Sequence, residues 1–543
     1  MASQGREGEV GKWCALVATP YRTAPPFTPR QPSGCCRSES HMKKDRKALE
    51  LSYDPDEYLC TWSIPDGTGG WRALSGSVDV QPNRPPRGRV YGEVPLHNTS
   101  STSGRACFAF PQRTEAPVLR AVLANGGTLL VLDATITYWS TGEGRISGSA
   151  ALLGRGHGHY APAKPTADPS DQTRPMIKAA RIQTTALDAV LGTAPINEVS
   201  FPSSSESTTR EWAARTNPEA SCEWTSDKVT LRVGYNGRMR TADAFEFRLR
   251  FSPVATLQLD ESLTLHGLVD EYVEPLRRFV AIATGKAQEL TYLAVELEAE
   301  NGWFQVFGTA ITQEPYESSS DAVRSASSSV TAYEDGLSLL ELVSRWRDLE
   351  AEHHPLAETY GSMLHADDQH PRSRFLLLIQ ALEGMHGAET RDQYEGRVKE
   401  HTQRRTALLE KLQSLASESS TEEKPDEEIL TVEDRRFLRK FLMKRPIGNL
   451  DSALSAMASS LPVNGMDALK KTVLVKGLLS SERAESAPAA LRIVRNDLAH
   501  GNRGYPSDDL DEVVALLEQI VRAHALRLLG CPDPVVSRVF GDD

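Results

Sequence analysis

Apolar and polar positions follow two different periods along this chain of 543 residues, and the change between them divides it. From about 46 to 314, short runs rich in β-branched and aromatic residues are broken by Gly, Pro, Asn and Asp: YLCTWSIP, ALSGSVDV, GRVYGEVP, GTLLVLDATITYWS, GRISGSAALLG, DKVTLRVGY and AFEFRLRF. These runs predict strands. One amphipathic stretch, SLTLHGLVDEYVEPLRRFVAIATG (262–285), predicts a helix, and LTYLAVELEAE and WFQVFGTAI predict two strands after it. The Ser/Thr-rich FPSSSESTTREW (201–212) interrupts the pattern. Residues 46–314 are therefore expected to form a β-rich α+β region, in one or two subdomains.

The segment EPYESSSDAVRSASSSVTAYED is polar and serine-rich, and residues 315–335 read as a flexible linker. Beyond it the period becomes 3.6. In RFLLLIQALEGMH, Phe375, Leu378, Ile379 and Leu382 fall at i, i+3, i+4 and i+7, one apolar stripe. In SDDLDEVVALLEQIVRAHALRLLG, Ser507 suits a cap, Asp508, Asp509 and Asp511 suit the positive end of a helix, and Gly530 suits its stop. Residues 336–530 should form an all-α helical bundle, with the acidic SESSTEEKPDEEI (417–429) as a loop and 531–543 as a tail. Residues 1–45, rich in Gly, Pro, Ser and Arg without either period, read as a disordered tail, with Met42 as an alternative start.

Composition narrows the function. With 39% hydrophobic and 25% charged residues the chain can bury ordinary cores, and no apolar run approaches the roughly 20 residues of a membrane span. No apolar signal core opens it, so a cytoplasmic protein without membrane partners is expected. The net charge of −12 argues against a surface that coats nucleic acid throughout; a phosphate site would be a local basic island. Seven scattered cysteines without a CxxC pair speak against a disulfide scaffold and a Cys-type zinc site. His157 and His159 in GRGHGHY lack further ligands at metal spacing, and no phosphate-binding glycine loop occurs, so neither metal nor cofactor is expected.

The strongest candidate chemistry is RNDLAHG, residues 495–501. Leu491, Val494 and Leu498 make an apolar stripe that would pin the helix, and Gly501 is a natural terminator. Arg495 and His500 then fall in its last turns. A histidine can move the proton of an attacking 2′-hydroxyl or a leaving 5′-oxygen, and an arginine can hold a phosphate by two contacts and stabilise charge developing at phosphorus. Spacing alone leaves two readings open, that one and a structural one in which the arginine pairs with a carboxylate and the histidine sits at the negative end of a helix. A looser version, Arg347 with His353 and His354 in RDLEAEHH, is structural: Asp348 follows the arginine and Pro355 ends the helix.

RNDLAHG in a late helix of an α-bundle resembles the signature of the HEPN superfamily (higher eukaryote and prokaryote nucleotide-binding), whose nuclease members carry Arg, a polar residue, then His. The chain as a whole resembles the ApeA branch of bacterial anti-phage abortive-infection proteins, from a segment like TWSIPDGTGGWRALSGSVDV (61–80) to helices like RFLLLIQALEGMH and RIVRNDLAHG. The resemblance covers about 46–530. It implies that Arg495 and His500 are the catalytic pair with Asn496 as polar companion, and that RNA, in this branch tRNA, is cut without metal to a 2′,3′-cyclic phosphate. It also implies a homodimer, or a higher oligomer, whose motifs face each other, and a phage-derived trigger protein or ligand at the N-terminal region. Some HEPN domains bind nucleotides or partners without cutting, so a regulatory binding module is the other functional class. Glu383 and Gln380, on the polar flank of their helix, are best placed to position the pair. Arg503 and Tyr505 in GNRGYP could contact phosphate and stack a base. In DRRFLRKFLMKRP, Arg435, Arg436, Arg439 and Lys440 form the basic island of the bundle, a solvated helix face or an RNA contact.

Overall fold

Trp62 sets the geometry of the first half. It lies buried on β1 (Asp56–Pro65), and the next two strands, β2 (Trp71–Val80) and β3 (Arg87–Tyr91), each pass it with a glycine. A Cβ at Gly76 would stand 2.0 Å from the Arg89 carbonyl oxygen and 2.6 Å from the indole, and one at Gly88 would stand 2.7 Å from the ring. Glycine alone lets strands approach so large a side chain. The indole Nε1 donates to the Arg89 carbonyl at 2.9 Å, so its polar atom is satisfied.

The computed structural model describes residues 47–541, except 67–69, 93–99, 103–104, 108–109, 141, 156–173, 203–211, 244–245, 365–368, 419–435 and 437–449. The expected N-terminal tail, the GRGHGHY histidines and most of the acidic loop lie outside the described residues. After β3 come a small ribbon, β4 (Ser100–Thr102) with β5 (Arg105–Cys107), and a second meander, β6 (Gln112–Leu123), β7 (Thr128–Tyr138) and β8 (Glu143–Ser147). β3 pairs with β8 and β6 with β1, so six antiparallel strands in the order β1–β2–β3–β8–β7–β6 close into a barrel.

β7 is long enough to pair a second time, with β9 (Ala150–Gly154), and there the sheet leaves the barrel. The remaining strands are β10 (Ile177–Thr184), the separate hairpin β11 (Ile196–Ser200) and β12 (Ala213–Thr216), β13 (Cys222–Thr225), β14 (Val229–Asp243), β15 (Glu246–Leu263), β16 (Leu290–Leu297) and β17 (Trp303–Gly308). From β9 the sheet runs β17–β16–β10–β15–β14–β13, antiparallel throughout. Two helices belong to this half: α1 (Leu187–Leu191), and α2, which runs through Leu265–Leu268, a π-helical Val269–Val273 and Glu274–Thr284. The expected β-rich α+β region is present.

The helical half follows: α3 (Ser320–Ala326), α4 (Ala332–Asp335), α5 (Leu339–Ala351), α6 (Pro355–Met363), α7 (Pro371–Glu389), α8 (Arg391–Glu418), α9 (Leu450–Ser459), α10 (Gly465–Leu469), α11 (Val473–Ser480), α12 (Ala487–His500), α13 (Ser507–Leu528) and α14 (Asp533–Ser537). Phe375, Leu378, Ile379 and Leu382 are all buried, as their spacing predicts. Among the described residues no helix is long and apolar enough to cross a membrane.

Three expectations are corrected. Residues 315–335 are no flexible linker: Ser319 caps α3 by accepting from the Ala322 N–H at 3.1 Å, Ser329 and Val330 are buried, and the Ser329 hydroxyl donates to the Ala283 carbonyl of α2 at 3.1 Å. Serines here satisfy helix ends instead of solvating a spacer. Of the expected tail 531–543, the described residues 531–541 are packed, since Val535, Val536 and Val539 are buried and Arg538 pairs with Asp335. Ser507 is the first residue of α13, not its cap; Pro506 holds that position without a side-chain bond. Gly530, at φ 79°, does follow the helix end.

The packed connection joins the sheet beyond the barrel to the helices in one apolar core, from Ile182, Leu257 and Leu293 of the sheet through Phe279 of α2 to Trp346 of α5 and Leu517 of α13, while the barrel keeps a core of its own around Trp62. Arg522 of α13 crosses the seam. It is 9% exposed, and its Nε donates to the Ile282 carbonyl at 2.7 Å and its Nη2 to the Ala283 carbonyl and to the Ser329 hydroxyl at 3.1 Å. A cation from one half thus caps the C-terminus of a helix in the other.

Candidate functional site

α12 is capped at both ends by its own sequence. Ser486 accepts from the Ala489 N–H, Pro488 sits in the first turn, and Gly501, at φ 71°, returns its N–H to the Asp497 carbonyl. Leu491, Val494 and Leu498 are buried, as predicted. Fixing that face leaves Arg495 and Asn496 half-exposed and His500 exposed. One turn separates Asn496 from His500, so they share a face. Arg495 and His500 lie about 140° apart around the axis and about 7.5 Å apart along it.

Arg495 keeps a loose environment. Its Nη1 donates to the Asn496 side-chain carbonyl at 3.2 Å, and its Nη2 stands 3.9 Å from the Glu383 carboxylate of α7. Nearby arginines are held more tightly: Arg492 to Asp451 at 2.8 Å and Arg374 to Glu518 at 2.5 Å. The structure therefore brings Glu383 to Arg495, as its place on the polar flank suggested, while Gln380 is exposed.

The sequence reading missed Arg372. From the first turn of α7 it donates to the Leu498 carbonyl, so a second guanidinium stands at the C-terminal end of α12. The pairing spans 126 positions, and no periodicity signals it. Asp497, inside the motif, is a second such residue. It accepts from the Tyr505 hydroxyl at 2.6 Å and stands 3.7 Å from Arg483. Burial, then the Asp497 carboxylate, push the Tyr505 hydroxyl up to about 12. Tyr505 thus straps the loop after the motif to its helix, with the Arg503 guanidinium 5.6 Å from its ring centre.

Of the basic island, Arg435, Arg439 and Lys440 lie outside the described residues, and Arg436 is exposed. In RDLEAEHH, Arg347 lies 3.4 Å from Asp348 and 3.8 Å from Glu271, His353 lies 3.4 Å from Glu358, and the His354 ring accepts from the Leu356 N–H to cap α6. No cluster of metal-ligating side chains occurs among the described residues.

Chemically, this edge offers an arginine with guanidinium edges open to solvent, an amide beside it, an accessible imidazole and a further arginine. Such a set can grip a phosphodiester and move a proton. Comparison with known proteins yields no family model, no curated protein and no solved structure that matches the chain.

Proposed function

We propose that the chain is a HEPN-type endoribonuclease of bacterial anti-phage abortive infection, cutting RNA, with tRNA as the target class, by attack of a 2′-hydroxyl on the adjacent phosphorus. The observation that carries this reading is the solvent-facing edge of α12. A helix buried along one face leaves Arg495 and Asn496 half-exposed and His500 exposed in its last turns, with the carboxylate nearest Arg495 held off at 3.9 Å. An arginine kept for structure would be expected to close on its carboxylate, as Arg492 does at 2.8 Å.

In this mechanism Arg495 grips the non-bridging phosphate oxygens and stabilises the charge that builds on them. His500 moves a proton, taking it from the 2′-hydroxyl or giving it to the departing 5′-oxygen. One P–O bond forms and one breaks, leaving a 2′,3′-cyclic phosphate and a 5′-hydroxyl. Two copies of α12 meeting about a two-fold axis would supply both a phosphate grip and a proton carrier from opposite sides, which suits side chains about 140° apart on one helix. Because the sheet beyond the barrel shares a core with the helices, a phage trigger at the N-terminal region would act through packed contacts such as Arg522, not by releasing a tethered domain.

The reading is tested in a bacterial host. Induced wild-type chain should arrest growth on phage challenge and fragment tRNA, while His500→Ala and Arg495→Ala chains of equal abundance should do neither. Intact tRNA with undiminished protection by His500→Ala would instead favour the non-catalytic binding module.

A further inference from the structure

The barrel wall formed by β3, β8, β7 and β6 carries an arrangement the α12 site does not use. Residues 88, 90, 134, 136, 138, 144 and 146 are buried, so the alternate positions of these strands face out. Pairing sets Arg89 directly opposite Arg145, with Thr137 opposite Arg145 on one side and Arg113 on the other. One step along lies Arg87, opposite Ser147. At the other end Tyr91 closes β3, 44% exposed, and Trp139 stands one residue beyond β7, 65% exposed.

Like charges directly opposite across antiparallel strands destabilise a sheet. This wall nevertheless sets two arginines opposite each other, with two more close by, against the outward glutamates Glu115 and Glu143. Among the described residues Arg87, Arg113 and Arg145 form no ion pair, while Arg89 has Tyr91, Glu57 and Glu143 near it. Asp79, the carboxylate opposite Arg87 on β2, is taken by Arg84. In a chain of net charge −12 such a concentration of guanidinium groups is a local anomaly.

We infer that this wall is a binding platform for single-stranded RNA, in which Arg87, Arg89, Arg113 and Arg145 take the phosphates and Tyr91 and Trp139 stack bases. Arginine forks match phosphate oxygens, and exposed aromatic rings on a sheet face give sequence-tolerant stacking. An acidic protein would use the charge but has no need of the two rings. The proposal deepens the ribonuclease reading by naming the form of RNA bound and where it docks.

The test measures binding of the full chain to a fluorescent 2′-O-methylated oligouridylate, which 2′-hydroxyl attack cannot cut, across a salt series. The Arg89→Ala/Arg145→Ala variant should bind about tenfold or more weakly, with the salt slope reduced by about 1.4, near 0.7 for each phosphate left without its arginine. Trp139→Ala should bind about fivefold or more weakly with the slope unchanged. Arg391→Ala/Arg404→Ala on α8 removes the same charge elsewhere and should change neither. All variants are surface changes whose melting temperatures should match wild type. Wild-type affinity in both platform variants, equal weakening in the α8 control, or polyglutamate competing as well as the oligonucleotide would each overturn the platform. None of these outcomes touches His500, and a His500→Ala chain that cuts RNA would leave the platform standing.

Discussion

Replacing Arg522 should loosen both halves of the molecule at once. Its guanidinium bonds the Ile282 and Ala283 carbonyls and the Ser329 hydroxyl, and Gly285 packs so closely that a Cβ there would stand 2.8 Å from Nη1. In Arg522→Ala the Ala283 carbonyl keeps the Ser329 N–H at 2.8 Å, but Ile282 loses its partner at the helix end, and a long buried side chain leaves a cavity. An unsatisfied buried carbonyl costs about 1–3 kcal/mol. With the cavity added, a total of about 3–5 kcal/mol is expected, the range for breaking a buried charged contact. Arg522→Met fills most of the space and relieves the cost of burying the charge, so it should lose about 0–2 kcal/mol. Urea unfolding followed by far-ultraviolet circular dichroism gives these differences from the midpoint shift. Hydrogen exchange gives the coupling: in Arg522→Ala, amides of α2 and α13 should both exchange faster. An alanine variant within about 0.5 kcal/mol of wild type, or faster exchange confined to α13, would refute the coupled core.

Other consequences are as specific. His524 is buried, its Nε2 donating to the Met457 carbonyl at 2.9 Å, and burial lowers its pKa to about 4. The unfolded chain takes up that proton near pH 6.5, so stability should fall by about 3 kcal/mol as pH drops from about 6.5 to 4. His524→Gln should flatten that part of the urea-midpoint curve, and parallel curves would show that the histidine does not contribute. Gly76→Ala drives a Cβ to 2.0 Å from the Arg89 carbonyl and should cost about 3 kcal/mol or more, read as a lower melting temperature; an unchanged one would contradict the close passage around Trp62. Residues 336–543 produced alone should be insoluble or molten, because Trp346 and Leu517 would lose the cover of α2; a soluble fragment melting cooperatively would count against a shared core.

Local patterns were legible because local physics made them. The stripe Phe375, Leu378, Ile379 and Leu382 could only be one face of a helix, and Gly501 ended α12 where a left-handed residue was needed. The edge bearing Arg495 and His500 followed from Leu491, Val494 and Leu498. Hidden from the sequence were features fixed by distant pairings: barrel closure between β3 and β8, the second pairing of β7, and Arg372 at the Leu498 carbonyl. Composition also misled, because serine serves equally as a solvated spacer and as a cap. Ser319 and Ser329 take the second role, which depends on the end of α2 lying beside them.

The central claim concerns His500 and is tested most directly by the ends of the cut RNA. Purified wild-type chain incubated with tRNA should give fragments ending in 2′,3′-cyclic phosphate and 5′-hydroxyl, undiminished by chelator. Folded His500→Ala should cut at least about a hundredfold more slowly. Ends of another chemistry, or cutting by His500→Ala at the wild-type rate, would contradict the account.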